Sequence, residues 1–166
     1  MAQQPLPTFR YHPDPIATGS IEASDESCVA CKQARGYIYV GPIYSEKDLD
    51  SLICPWCIGD GTAHKLFDAE FTDIAYVGDG RNEVANAIAE EVAYRTPGFS
   101  GWQQERWFTH CDDAAAFLGA AGHDELAVLG PEAVESIRDE AGLSGTDWEH
   151  YFNGLDKDGS PTAYIF

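Results

Sequence analysis

Four cysteines stand where their spacing carries chemistry: Cys28-x-x-Cys31, twenty-two intervening residues, then Cys54-x-x-Cys57. One Cys-x-x-Cys serves either thiol exchange or metal binding, and thioredoxin-like proteins place it just after a strand of a βαβ unit. Two such pairs suit a single tetrahedral ion. Four soft thiolates around Zn²⁺, with Zn–S distances of about 2.3 Å, make a closed structural site with no open position for a catalytic water. The residues thus assigned as metal ligands are Cys28, Cys31, Cys54 and Cys57, holding one structural Zn²⁺. A redox pair or two disulfides are the alternatives.

The segment between the pairs indicates how they would be positioned. Gly36-Tyr37-Ile38-Tyr39-Val40 alternates aromatic and β-branched residues as a short strand does, and Gly41-Pro42 closes it with turn chemistry. Ser45 with Asp48 reads as the start of a short helix carrying Leu49, Leu52 and Ile53 on its apolar side. Knuckle, strand, short element and knuckle is a zinc-ribbon or treble-clef plan. Upstream, PLPTFRYHPDPIATGSI is proline-rich, extended chain; His12 in it and His64 after the second knuckle are read as packed or surface histidines, because four cysteines already fill the site.

Downstream, helices and short strands are expected. Asn82 is read as capping a helix with Val84, Ala85, Ile88, Val92 and Ala93 at helical spacing and Glu90 and Glu91 facing water, ended by Thr96-Pro97-Gly98. GDGRNE at 78–83 is too short for a nucleotide loop and reads as a turn before that cap. Asp112 is taken to open a further helix through Ala115, Phe117 and Leu118. Pro131 starts another, with Val134, Ile137 and Ala141 on one face before Gly142. Thr146-Asp147-Trp148-Glu149 has the form of a capping box, and Thr162 to Phe166 that of a terminal strand. Asp156-Lys157-Asp158-Gly159 fails as a calcium loop, since its glycine stands fourth and no glutamate follows at the twelfth position. The fold class expected is α+β: residues 1–66 a zinc-binding lobe with an extended arm, residues 67–166 an acidic, mainly helical part packed on it.

Charge narrows the partners. The chain has 28 acidic and 10 basic side chains, a formal net charge of −18. The excess lies downstream, where residues 65–166 hold twenty acids against six bases. Such a surface repels nucleic acid and anionic membrane, so no nucleic acid and no membrane are expected as partners; a basic protein fits, although solubility alone also accounts for the charge. With 44% hydrophobic residues a packed core is affordable. No stretch approaches the roughly 20 apolar residues of a membrane span, and the first fifteen residues lack the pattern of a signal peptide. A cytoplasmic location is expected, where thiols stay reduced and metal is favoured over disulfide.

The runs CVACKQARGYIYVGPIY, CPWCIGDGTAHKLFDAEFTD, FSGWQQERWFTHCDDAAAFLG and LDKDGSPTAYIF resemble the CbrC family, bacterial proteins associated with colicin tolerance. The resemblance implies that the four cysteines match the family's paired cysteines. Family members run on into a further Cys-x-x-Cys-Gly that could join the positions of His110-Cys111, and here Phe166 is the last residue, so one metal is expected and Cys111 is read as a buried thiol.

No nucleophile with its base, phosphate-cradling loop or open metal site stands out, and a site from Glu105, His110 and Asp112 is the one enzymatic alternative kept. The expectation is a non-enzymatic protein. The resemblance and the charge together imply an immunity protein that blocks a basic antibacterial nuclease toxin. Its partner-binding residues would be the aromatics Trp102 and Trp107 and the acids Glu132, Glu135, Asp139 and Glu140. The alternative is a zinc-stabilised adaptor docking a regulatory or envelope-stress partner.

Overall fold

The computed structural model describes residues 4–78, 84–101 and 103–166. Its described elements are mixed α+β, with six α-helices and three two-stranded antiparallel sheets. They fall into two compact units, Met1–Phe117 and Leu118–Phe166. The boundary drawn at 66/67 from charge and motif lies within a helix of the first unit.

In the first unit β1 (Ile21–Ser24) pairs antiparallel with β2 (Gly36–Tyr39), Ile21 opposite Tyr39 and Ser24 opposite Gly36. The first Cys-x-x-Cys sits in the connection between these strands. Helix α1 (Pro55–Gly59) opens with a proline, whose missing N–H has no partner to lose at a first turn. Gly61 at φ 76° supplies the left-handed turn into α2 (Thr62–Phe67). Helix α3 (Asn86–Arg95) follows, then a minimal hairpin of β3 (Thr109–His110) and β4 (Asp113–Ala114). The core gathers Phe9, Ile21, Ile38, Tyr39, Leu49, Ile53, Ile58 and Phe71 around the cysteines. Each such large side chain contributes about 1.5–3 kcal/mol on burial.

Three expectations for this unit need correction. No helix begins at Ser45: its hydroxyl donates to the Phe67 carbonyl at 2.9 Å and accepts the Lys47 N–H at 3.3 Å, a local turn that competes with helix. Leu49 and Ile53 are buried all the same, from irregular chain. Nor does Asp112 start a helix. Cys111 and Asp112 adopt φ of 55° and 60°, the two left-handed residues that a tight hairpin turn demands, and the Phe117 N–H is taken by the Tyr11 carbonyl at 2.8 Å. Helix α3 starts at Asn86 with Ala85 before it; Asn82 and all of 78–83 beyond Gly78 lie outside the described residues.

In the second unit β5 (Gly119–Ala121) pairs with β6 (Ala163–Ile165), confirming the terminal strand. Between them run α4 (His123–Leu129), α5 (Pro131–Ala141) and α6 (Gly145–Asn153). Helix α5 has the bounds its proline and Gly142 imply. Helix α4 was not anticipated; its cap is Glu125, whose carboxylate accepts the Gly122 N–H at 3.0 Å. Helix α6 begins one residue before Thr146, with Ser144 outside it, so the expected capping box lies inside the helix. Ala121, Leu126, Leu155 and Ala163 form this unit's own core. Asp156 closes a turn on itself, its Oδ1 accepting the Asp158 N–H at 2.9 Å.

Candidate metal centre

Cys28 and Cys31 lie on the β1–β2 connection, which turns back sharply: the Lys32 N–H donates to the Cys28 carbonyl at 2.8 Å, and Lys32 takes φ 60°. Cys54 immediately precedes α1 and Cys57 is in its first turn. Two backbone ties bring the halves together, Val29 N–H to the Leu52 carbonyl and Tyr39 N–H to that of Ile53, each at 2.9 Å. The N-terminal arm covers α1 from outside, where the Trp56 indole N–H donates to the Pro5 carbonyl at 3.1 Å.

The four sulfurs converge within 4.8 Å of one another. Contacts of 3.8 Å link Cys28 to Cys57 and Cys31 to Cys54, across from one knuckle to the other. A regular tetrahedron with metal–sulfur bonds of about 2.3 Å has edges of about 3.8 Å. The spacing therefore matches four thiolates around one ion. Cys28, Cys54 and Cys57 are buried and Cys31 half-buried.

The thiols of the cluster perturb one another. The Cys28 thiol is drawn down, first by a hydrogen bond from Cys54 and also by the backbone N–H groups of Cys31, Cys54 and Ala30. The Cys54 amide approaches its sulfur at 3.3 Å. Cys54 is pushed up by giving that hydrogen bond and by burial. Cys57 is pushed up to about 12 by burial and by the charge on Cys28. The site thus favours one thiolate and resists the next, a conflict that a bound divalent cation removes by pairing with all four.

The other candidates are placed as follows. Trp107 is fully buried, its indole N–H donating to the Ala115 carbonyl at 2.9 Å, which corrects its assignment as a partner anchor: it belongs to the core with Phe99 and Phe117. Trp102 lies outside the described residues. Glu132, Glu135, Asp139 and Glu140 are all exposed on α5. Cys111 is exposed rather than buried, 2.7 Å from His110 Nδ1 at the hairpin tip, and is no part of the tetrad. His64 stacks on Tyr94 at 3.7 Å, and His12 is wholly buried; neither stands in the cysteine cluster. Glu105 is engaged by the Tyr44 hydroxyl at 2.8 Å and the Gly101 N–H at 2.9 Å. Sequence reasoning missed the amide-to-sulfur bond from Cys54 and the arm over Trp56; neither leaves a mark in residue spacing.

The profile of an uncharacterised protein family, UPF0167, matches residues 6–166. The chain belongs to the UPF0167 family. Among its relatives, the UPF0167 protein Mb2317 of Mycobacterium bovis and the UPF0167 protein MT2352 of Mycobacterium tuberculosis are each 51% identical over 168 residues, covering 98% of this chain and 87% of theirs. The UPF0167 protein PA1536 of Pseudomonas aeruginosa is 44% identical over 163 residues, covering 98% and 90%. No solved structure matches. These findings correct the resemblance to the CbrC family: the matching profile and these UPF0167 relatives point neither to CbrC nor to colicin tolerance. No helix among the described residues is long and apolar enough to cross a membrane.

Proposed function

We propose that this UPF0167 protein is a non-enzymatic binding protein whose first unit is organised by one structural Zn²⁺ and which docks a cationic protein partner. The observation that carries the reading is the convergence of Cys28, Cys31, Cys54 and Cys57, with 3.8 Å contacts along two edges of a tetrahedron. Four thiolates fill the shell, so the ion holds the fold together and activates no water. One knuckle within a hairpin and the other opening a helix favour the treble-clef form over the ribbon. The net charge of −18 supports a basic protein as partner and disfavours nucleic acid. Blocking of a nuclease toxin loses its main support with the colicin resemblance; acidic charge by itself does not single out a nuclease among basic proteins. The adaptor reading is therefore preferred.

Elemental analysis with thermal unfolding tests the metal. Purified protein should carry one zinc per chain, and iron in its place would show as visible absorption. Cys54→Ser should lose the ion and destabilise the first unit by more than about 4 kcal/mol, a fall in melting temperature of roughly 8 °C or more. Cys111→Ser should do neither. Metal-free protein whose melting is unchanged by a chelator overturns the reading.

A further inference from the structure

Helix α6 borders an open cleft along one of its sides. Asp147, His150 and Tyr151, followed by Gly154 at the helix's C-cap, recur at i, i+3, i+4 and i+7 and so lie along one side; Tyr151 and Phe152 also touch this unit's core, and Trp148 is buried against Phe152. Together with Leu143 and Pro161 this face bounds an open cleft of about 450 Å³, mainly apolar in its walls. That volume is within the range of about 300–1,000 Å³ seen for ligand sites. The surrounding unit is strongly one-signed: residues 118–166 hold ten carboxylates against Arg138 and Lys157. Lys157 is already paired with Glu125 at 3.4 Å. Asp147 stands in the cleft wall itself, and Asp139 and Glu140 occupy the last turn of α5, which ends two residues before Leu143.

An apolar cleft in such a field selects its occupant by charge. A second copy of this unit would bring ten more carboxylates and be repelled. We propose that the cleft lined by Leu143, Asp147, His150, Tyr151 and Pro161 receives a lysine- or arginine-rich peptide segment carrying one apolar anchor side chain. This rests on the binding-protein reading and gives it a location and a ligand chemistry. The anchor fills the space between Leu143, Tyr151 and Pro161, the apolar part of the wall, while the flanking cations face Asp147 and the carboxylates of α5. Charge speeds the encounter; the anchor sets the lifetime.

The probe is a fluorescein-labelled lysine-rich twelve-residue peptide with one central leucine, titrated by anisotropy into the zinc-loaded full chain. Replacing its leucine by serine should weaken binding tenfold or more, and replacing its lysines by glutamates should abolish it. In the protein, Leu143→Asn and Asp147→Lys should each weaken binding at least tenfold with melting curves preserved. Asp147 is exposed and supports no core, so its variant remains informative should Leu143→Asn fold poorly. Amide NMR shifts on titration should centre on Leu143, His150 and Tyr151. Equal affinity for the leucine and serine peptides, or shifts spread over the surface, would reduce the effect to diffuse charge attraction and overturn the assignment. Shifts confined to the first unit would remove the cleft and leave the binding-protein reading standing. Failure of every cationic probe to bind removes the cationic-partner part of that reading as well.

Discussion

His12 illustrates how much one side chain can commit to the neutral state. Its Nδ1–H donates to the Pro97 carbonyl at 2.7 Å, its Nε2 accepts the Thr18 hydroxyl at 2.6 Å, and its ring meets Phe117 edge-on at 5.1 Å. Burial pushes its pKa below the ordinary value of 6.5, outweighing the Pro97 bond and the Asp14 charge, which act upward. The unfolded chain then binds the proton more readily than the folded one. Stability from neutral His12 is in place above about pH 6.5 and is lost as pH falls below it. Neutralising the carboxylates of so acidic a chain acts in the opposite sense, so the comparison must be with a variant. Thermal melts of wild type and His12→Gln from pH 7.5 to 5 should converge as the pH falls; a constant gap would contradict a buried neutral imidazole. The convergence of the four cysteines was legible at this scale because two Cys-x-x-Cys pairs announce it by spacing alone. Trp107 was not, since an aromatic residue in an amide-rich stretch reads alike whether it faces a partner or the core.

Elements show where sequence signals hold and where packing overrides them. Helix α5 was legible because Pro131 and Gly142 mark its ends and Val134, Ile137 and Ala141 its face. The alanine-rich stretch after Asp112 carries helical propensity and no terminal signal strong enough to resist tertiary pairing, so it became hairpin and irregular chain. Strand β1, of sequence IEAS, is too short for a period to be read. At the exit of α3 the chain passes so close to the bend at Phe71 that a Cβ on Gly98 would lie 1.9 Å from the Phe71 carbonyl oxygen and 3.1 Å from the Tyr39 hydroxyl. The Gly98 N–H also donates to that hydroxyl at 3.1 Å. Backbone oxygen cannot move aside as a side-chain tip can. Gly98→Ala should therefore cost about 3 kcal/mol or more, measured by chemical denaturation. A cost under about 1 kcal/mol would mean that this approach is looser than described.

At the scale of the whole molecule, each of the two units has apolar packing of its own among the described residues. The four converging cysteines sit in the first unit's packing, among Ile38, Ile53 and Ile58, whereas Ala121, Leu126, Leu155 and Ala163 pack in the second unit without them. Removing the ion should open the first unit by local unfolding and spare the second. Hydrogen exchange before and after chelation gives the check: protection should fall across residues 21–67 and persist in α5 and α6. Parallel loss in both would show that the units unfold as one. A division into two parts was expected, but the position of the boundary was not legible, because the charge shift near residue 65 follows surface composition, whereas units are defined by which apolar side chains share a core.

Cys111, exposed beside His110 at the hairpin tip while the other four thiols converge on one centre, would make the protein its own gauge of loading with the proposed ion. A thiol-alkylating reagent applied under native conditions should add once per zinc-loaded chain, at Cys111, and up to five times per stripped and unfolded chain, the total of its cysteines. The mass distribution of a labelled sample would then count, molecule by molecule, the fraction carrying the ion, with no need to assay the metal itself.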